Sequence, residues 1–289
     1  MSPNMSPDLS SGMSPTYLSS GARLGYSDLG AGLPVVFLHP TPLDRDYWRP
    51  LISNFGPLRA IVPDLRGHGI SELGSGLPTG LFARLPDAPV LTIAQLGTDI
   101  VALLDHLGLS GAVFAGCSIG GYVLLELWRR APERMKGLAF ICSKPQPDAE
   151  ANLEKRTATI AQARAGEAAK VFDGNAQNLV GATTRARRPE VVAEVRARMS
   201  LTAEALVAVQ AGLATRLDSV PTVASITAPV LAIAGGEDGA VTPAEMEAFR
   251  ASPGGCEYHV LADAGHLAAY EQPERVAAIM SVWFERFRV

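Results

Sequence analysis

The sequence is poor in cysteine, in charge and in long apolar runs, and each shortage excludes a class of protein. Three cysteines among 289 residues are too few, and odd in number, for a disulfide framework. No apolar run reaches the roughly 18 residues that a membrane-spanning helix needs, and the N-terminus lacks the basic-then-apolar pattern of a secretion signal. With only 19% charged residues and a net charge of −4, neither nucleic acid nor an anionic membrane is expected as the main partner.

What the chain does contain is enough apolar material for a large core. Hydrophobic residues make up 47% of it, which excludes a disordered or fibrous protein. Residues 1–15, rich in Ser, Pro, Met and Gly, have almost nothing to bury, and we expect them to form a disordered tail. We expect the remainder to be a globular, cytoplasmic protein.

Short segments of strand character alternate with helical patterns along most of the chain. Most of these segments are continuous apolar runs, which is typical of strands buried on both faces. Helical patterns between them include Thr92–Leu107, with Thr92 as its cap, Ile119–Ala131 and Pro273–Phe287. The alternation predicts an α/β fold with a mostly parallel, eight-stranded sheet flanked by helices. The predicted strands are Thr16–Leu18, Ala22–Tyr26, Val35–Leu38, Ala60–Val62, Ala112–Ala115, Gly137–Cys142, Val230–Ala234 and Tyr258–Leu261.

Residues 145–226 interrupt this alternation, because they contain only Ala-, Arg- and Glu-rich segments of helical period. We therefore divide the chain into a core, residues 16–144 and 227–289, and a helical insertion, residues 145–226. Residues 73–90, rich in Gly, Pro and Leu, predict a long loop. The run Arg185-Ala186-Arg187-Arg188 is expected to be a solvated helix face. The predicted helices of the insertion are Ala149–Ala165, Glu167–Val180, Pro189–Met199 and Thr202–Leu217.

The segment Gly116-Cys117-Ser118-Ile119-Gly120-Gly121 lies between a buried strand and a buried helix. A serine on such a tight turn is strained, and the residues two positions away must be small, as Gly116 and Gly120 are. The turn would expose the Ser118 hydroxyl above the sheet and leave the Ile119 amide at a helix N-terminus. A dinucleotide-binding turn is the rival interpretation, but Ser118 replaces its middle glycine and the next strand does not end in an acidic residue.

A nucleophilic serine needs a base and a carboxylate that orients the base. Of the five histidines, His266 follows the last predicted strand, where doubly wound sheets place their active sites. The segment after the strand Val230–Ala234 places both Glu237 and Asp238 at the correct edge of the sheet, and either gives the order Ser, acid, His. Asp238 is the preferred carboxylate. Its neighbour Glu237 stays open as an alternative, whereas Asp263 is explained by a local turn.

Acyl transfer also needs a second backbone donor for the developing oxyanion, beside the Ile119 amide. In the loop His39-Pro40-Thr41-Pro42-Leu43, neither proline has an N–H, so Thr41 offers the central amide. Thr41 and Ile119 are therefore the predicted oxyanion donors. The alternative is a rigid proline turn with no catalytic duty.

Taken together, these motifs resemble those of the α/β-hydrolase family from about Leu24 to Phe287. The resemblance rests on HPTPLDRDYW, DLRGHGIS, GCSIGG, GGEDGAVTP and AGHLAAYEQPE. The chain is similar to small esterases and enol-lactonases in which a helical cap follows the sixth strand. Residues 145–226 fall at that position. The chain departs from the family's pattern in Pro40, where glycine is usual, in the spacer after Asp238, and in the loop of residues 73–90.

The resemblance and the residues together imply a serine hydrolase that cleaves carboxylic esters of short to medium acyl chain through an acyl-enzyme. Lactone or carbon–carbon bond hydrolysis with the same triad stays open, as does a ligand-binding receptor on a hydrolase scaffold. We expect a small-molecule ester as substrate and no cofactor or metal, because no Cys/His cluster has ligand spacing. Whether the chain forms a homodimer is left open.

Overall fold

A computed structural model describes residues 14–288, and the strands in that range form a single sheet. They are β1 Thr16–Ser19, β2 Ala22–Gly30, β3 Pro34–Leu38, β4 Arg59–Pro63, β5 Ala112–Cys117, β6 Met135–Ile141, β7 Val230–Gly235 and β8 Cys256–Leu261. Their order is β1-β2-β4-β3-β5-β6-β7-β8. β2 pairs antiparallel with β1 and with β4, and every other neighbouring pair is parallel. This sheet confirms the predicted fold class.

Each of the eight strands differs from its predicted bounds by one to four residues at an end, and two of these differences have a clear local reason. β2 continues to Gly30 because its polar second half pairs with β4, from Tyr26 opposite Pro63 to Gly30 opposite Arg59. β6 ends one residue early because Cys142, with φ of 45°, leaves the extended region. Most of the tail predicted for residues 1–15 lies outside the described residues.

The helices cover both faces of the sheet and form the insertion. They are α1 Arg49–Ile52, α2 Ile93–His106, α3 Ile119–Arg130, α4 Glu150–Arg164, α5 Ala168–Leu179, α6 Ala182–Arg187, α7 Glu190–Ala197, α8 Ala203–Ala214, α9 Val220–Val223, α10 Pro243–Met246, α11 Ala268–Glu271 and α12 Pro273–Phe284. Short 3₁₀ turns cover Arg45–Trp48, Pro132–Arg134, Glu247–Ala251 and Glu285–Phe287. The predicted cap of α2 is confirmed, because Thr92 Oγ1 accepts a hydrogen bond from Gln95 N at 3.0 Å. Within residues 14–288, every helix is too short or too polar to span a bilayer.

The helical insertion leaves the core after β6 and returns before β7, and α4 to α9 lie between these strands. The two segments that join the core to the insertion, which we call the crossings, contact each other, since Ser219 N donates to Pro145 O at 2.9 Å. α6 is an addition to the prediction, because its six residues are too few to show a helical period. Residues 73–90 contain neither helix nor strand, as predicted for a loop.

The core places the carboxyl ends of β3, β5, β6 and β7 side by side at one edge. Each of these strands is buried from end to end, apart from the half-buried first residue of β3 and exposed Lys136 in β6. Leu38, at the end of β3, lies in register with Gly116 of β5. Loops that follow these strands therefore meet above the same sheet edge.

Candidate active site

Ser118 stands on a strained turn between β5 and α3. Its backbone has φ of 53° and ψ of −117°, which an L-residue adopts only where the surroundings hold it. The neighbouring glycines have no room for a side chain. A Cβ on Gly116 would lie 2.5 Å from Gly120 C, and one on Gly120 would lie 2.2 Å from Leu38 O. The predicted need for small residues on either side of Ser118 follows from these contacts.

The strained turn is held by hydrogen bonds to its backbone. Ser118 N donates to Ile141 O at 3.1 Å, and Gly121 N donates to Ser118 O at 2.9 Å. Ser143, which is fully buried just after β6, donates its hydroxyl to Ser118 O at 2.9 Å. Sequence reasoning missed Ser143, because its contact with Ser118 exists only once β6 lies beside β5.

His266 and Asp238 form a buried pair at the same edge of the sheet. His266 Nδ1 donates to Asp238 Oδ2 at 2.8 Å, and both side chains are buried. The other oxygen, Asp238 Oδ1, accepts from Ala240 N at 2.7 Å and Val241 N at 2.9 Å. Since an ionised carboxylate only accepts hydrogen bonds, Nδ1 carries the proton of this hydrogen bond, and Nε2 is the nitrogen left to act as the base.

The two other carboxylates weighed for this position have different partners. Glu237 accepts from Thr183 N at 2.7 Å and Thr183 Oγ1 at 2.5 Å, on the N-terminal turn of α6. Asp263 pairs with Arg275 at 2.6 Å on the surface. The structure therefore places Asp238 alone of the three on the His266 ring.

The loop carrying His266 rests on the ends of β5 and β6. The Cys117 thiol donates to His266 O at 3.7 Å, and the Cys142 thiol donates to Gly265 O at 3.6 Å. This brings the backbone of His266 against the residue that precedes Ser118. Ser118 itself is partly exposed, and among the described residues its hydroxyl has no hydrogen-bond partner. Among the described residues, no hydrogen bond therefore joins Ser118 Oγ to His266, and such catalytic hydrogen bonds often form only in the complex with substrate.

Thr41 lies three residues beyond the end of β3, and its side chain is fixed by a neutral histidine. Thr41 Oγ1 donates to His68 Nε2 at 2.9 Å, because His68 Nδ1 already donates to Arg66 O at 3.0 Å. Burial lowers the pKa of His68 to about 3, so the ring is uncharged at neutral pH. His68 thus orients the predicted oxyanion loop.

His39 supports the same loop from the end of β3. Its Nε2 accepts from Leu65 N at 2.9 Å, and its Nδ1 donates to Pro40 O at 3.0 Å. Burial lowers the pKa of His39 to about 4 and keeps this ring neutral as well. Among the described residues, the amides of Thr41 and Ile119 donate to no acceptor. Both donors are therefore available at the edge of the sheet where Ser118 stands.

A cavity of about 200 Å³ opens beside α3, between the two crossings that join core and insertion. Tyr122, one helical turn beyond Ser118, is part of its wall. The cations in this wall are each paired with a carboxylate: Arg216 with Asp148 at 2.7 Å, Lys144 with Glu245 at 2.5 Å and Arg129 with Glu126 at 2.8 Å. Among residues 14–288, no group of three or more His, Cys, Asp or Glu side chains could hold a metal ion.

The expectation that Arg185 and Arg188 belong to a solvated face is wrong. Arg185 Nη1 donates to Gln177 O at 2.8 Å and also to Val180 O, and Arg188 Nη2 donates to Glu271 O. Both arginines are half-buried, because Arg185 satisfies backbone carbonyls at the end of α5 and Arg188 satisfies the carbonyl of Glu271 at the end of α11. Only the two residues between them are exposed.

Comparison with known proteins agrees with this geometry. The sequence model of the family described as alpha/beta hydrolase fold matches residues 34–273. The chain belongs to this family. The structure of a thermophilic esterase from Thermogutta terrifontis covers 95% of this α/β hydrolase and 97% of its own chain, with a TM-score of 0.84 and 32% identity.

The relatives found by sequence similarity are named for different activities. The 3-oxoadipate enol-lactonase 2 of Acinetobacter baylyi is 26% identical over 94% of this α/β hydrolase and 97% of its own length. A non-heme haloperoxidase of Rhodococcus erythropolis is 34% identical, over 36% of this chain and 34% of its own. The family is therefore shown, while the relatives' activities differ from one another.

Proposed function

We propose that this α/β hydrolase is a serine esterase that cleaves carboxylic esters of short to medium acyl chain. The observation that carries the proposal is the strained Ser118 turn beside the buried pair of His266 and Asp238, whose Nδ1 and Oδ2 are 2.8 Å apart. A strained, partly exposed serine is not needed for packing, so its cost is best explained by nucleophilic catalysis.

In the first half of the reaction, Ser118 Oγ attacks the ester carbonyl carbon while His266 Nε2 takes the hydroxyl proton. Asp238 holds the ring and stabilises the imidazolium through the Nδ1 hydrogen bond. The carbonyl oxygen becomes an oxyanion, which the amides of Thr41 and Ile119 bind. The tetrahedral intermediate then collapses, and the alcohol leaves with the proton from His266.

In the second half, water replaces the alcohol. His266 Nε2 takes one proton from the water as its oxygen attacks the acyl-enzyme carbonyl, and the same two amides bind the new oxyanion. Collapse breaks the bond to Ser118 Oγ, which regains a proton from His266. The acid is released and the enzyme returns to its starting state.

The charged side chains of the cavity beside α3 and of α6 support a neutral substrate, although Tyr122 and not Ser118, Asp238 or His266 lines that cavity. The cations in the cavity wall are already paired with carboxylates, and Arg185 and Arg188 bind backbone carbonyls. The helix that lies between α4 and the core, α8, is buried from Ala205 to Leu213 and is almost wholly apolar. A carboxylated lactone would find no uncommitted cation among these residues, whereas a neutral ester needs none.

Lactone hydrolysis is the second candidate, because the enol-lactonase of Acinetobacter baylyi is similar along nearly its whole length. Carbon–carbon bond hydrolysis would use the same three side chains. A receptor with an intact hydrolase site is the alternative of a different class, and it would hydrolyse at most about one equivalent of substrate before stopping.

A steady-state panel separates these candidates. It compares p-nitrophenyl acetate, butyrate, octanoate and palmitate with a neutral lactone and a β-diketone, each with the wild-type protein and with Ser118→Ala. We expect acetate to octanoate to lead and palmitate to be poor. Faster turnover of the lactone or the diketone than of every ester would overturn the esterase proposal and keep the triad.

We further propose a cytoplasmic site of action on a small molecule, without nucleic acid or membrane partners. The free thiols of Cys117, Cys142 and Cys256 fit a reducing compartment. Light scattering during size-exclusion chromatography decides between a monomer and a homodimer.

A further inference from the structure

Glu271 is a buried acidic residue that the proposed mechanism does not use. It ends the short helix α11, five residues after His266, and only 1% of its surface is exposed. Among the described residues, no Lys, Arg or His side chain forms an ion pair with it. A charge buried in this way is costly unless hydrogen bonds replace its water. Its hydrogen bonds therefore indicate what it is for.

One oxygen of Glu271 accepts hydrogen bonds from the backbone on both sides of His266. Oε1 accepts from Gly265 N at 3.0 Å and from Leu267 N at 3.2 Å. The amide between them, His266 N, donates to Leu179 O at 2.8 Å, at the end of α5 in the insertion. Three consecutive amides around His266 are thus fixed, two by Glu271 and one by the insertion.

The other oxygen of Glu271 binds the insertion directly. Oε2 accepts from Gly181 N at 2.9 Å, so a single carboxylate joins the His266 loop to the segment between α5 and α6. The two backbones are in close contact, because a Cβ on Gly181 would lie 2.6 Å from Gly265 N. No residue larger than glycine fits at position 181 without moving the His266 loop. We call this contact between Glu271, the His266 loop and Gly181 the joint.

We propose that Glu271 is a positioning residue that sets the place of the His266 ring and links it to the insertion. This inference rests on the proposed esterase function. Any displacement of Leu179 or Gly181 relative to the core would be transmitted to the His266 backbone through these hydrogen bonds. A displacement of about 1 Å at a catalytic group can cost on the order of 10²-fold in rate, so the joint would govern turnover more than binding.

The test is Glu271→Gln in the full chain. A glutamine has one acceptor oxygen, and its NH₂ group cannot accept from a backbone amide, so at least one of the three hydrogen bonds is lost. We expect kcat per active site to fall by roughly 10- to 100-fold while KM changes by less than about threefold. Active sites are counted by the p-nitrophenol burst, so that misfolded protein does not enter the rate.

Glu237→Gln is the matched control. It makes the same chemical change one residue before Asp238, but the Glu237 side chain accepts only from Thr183 in the insertion. The contact of Glu237 with the His266 loop is made by its backbone amide, which donates to Ala264 O at 2.8 Å and which the substitution keeps. We expect its kcat to stay within about threefold of wild type. In ¹H NMR, the low-field Nδ1 proton of His266 should shift or broaden in Glu271→Gln and keep its position in Glu237→Gln.

If Glu271→Gln does not fold, Gly181→Ala tests the same joint from the insertion side with Glu271 intact, and it should produce the same fall in kcat and the same NMR change. Wild-type kcat and an unchanged Nδ1 resonance in the folded variant would overturn the inference, as would losses equal to those of Glu237→Gln. If wild type hydrolyses no better than Ser118→Ala, the esterase proposal fails, while the NMR comparison still decides the role of Glu271.

Discussion

Glu237 and Asp238 are neighbours in sequence, yet their carboxylates bind different parts of the protein. Asp238 accepts a hydrogen bond from His266 Nδ1, and Glu237 accepts two hydrogen bonds from Thr183 in the insertion. One acidic pair therefore serves the candidate triad and the contact between core and insertion at once. Exchanging their roles would require the whole turn after β7 to change its conformation.

Replacement of each acid by its amide should separate these roles. Asp238→Asn should lower kcat by several orders of magnitude, on the scale of 10⁴-fold, because the amide disrupts the hydrogen bond that holds the imidazole tautomer. Glu237→Gln should cost far less. Steady-state kinetics on p-nitrophenyl butyrate measures both, and the reverse ranking would make Glu237 the triad acid.

Removal of the Ser118 hydroxyl should abolish turnover without affecting the fold. Ser118→Ala should reduce the rate by roughly 10⁴-fold or more, leaving only binding and oxyanion effects. Circular dichroism and thermal unfolding provide the check on folding. A variant that keeps more than about a tenth of wild-type activity would exclude Ser118 as the nucleophile.

Pro40 should act through the position of the Thr41 amide. Pro40→Gly keeps that amide but frees the backbone before it, so we expect about a tenfold fall in kcat, since oxyanion donors act through preorganisation. The measurement is kcat together with the unfolding midpoint. If neither changes, the proline has no part in the oxyanion site.

The buried neutral state of His68 should make stability depend on pH. Its pKa is about 3 in the folded protein and about 6.5 when unfolded, so the unfolded chain binds more protons between these values. Stability from this residue is complete above pH 6.5 and falls as the pH drops toward 3. Between pH 6.5 and 4, a shift of this size is worth about 3 kcal/mol.

His68→Gln isolates this contribution, because the glutamine oxygen can still accept from the Thr41 hydroxyl but does not titrate in this range. Urea unfolding at pH 6.5 and pH 4 should show a larger loss of stability for wild type than for the variant. Parallel losses in the two proteins would mean that other groups, His39 and the carboxylates, cause the acid sensitivity.

The parts of the site that the sequence predicts are those with a local pattern. The glycines around Ser118 predict the tight turn. The position of His266 after the last strand predicts that it lies at the carboxyl ends of the strands, where Ser118 also lies. The choice between Glu237 and Asp238 has no local signal, because it depends on Thr183, which is 54 residues away. Glu271 and Ser143 were missed for the same reason, since their partners come together only in the folded chain.

The hydrogen bond between Ser219 and Pro145 has a consequence for how such proteins diversify. Because the chain leaves and re-enters the core at one point, residues 146–218 form a cassette that could be exchanged or deleted without opening the sheet. The chemistry is less modular than the topology. A transplanted cassette would have to supply again a carbonyl for the His266 amide and a donor for Glu271. A new cap would therefore be acquired only together with the contacts that position His266.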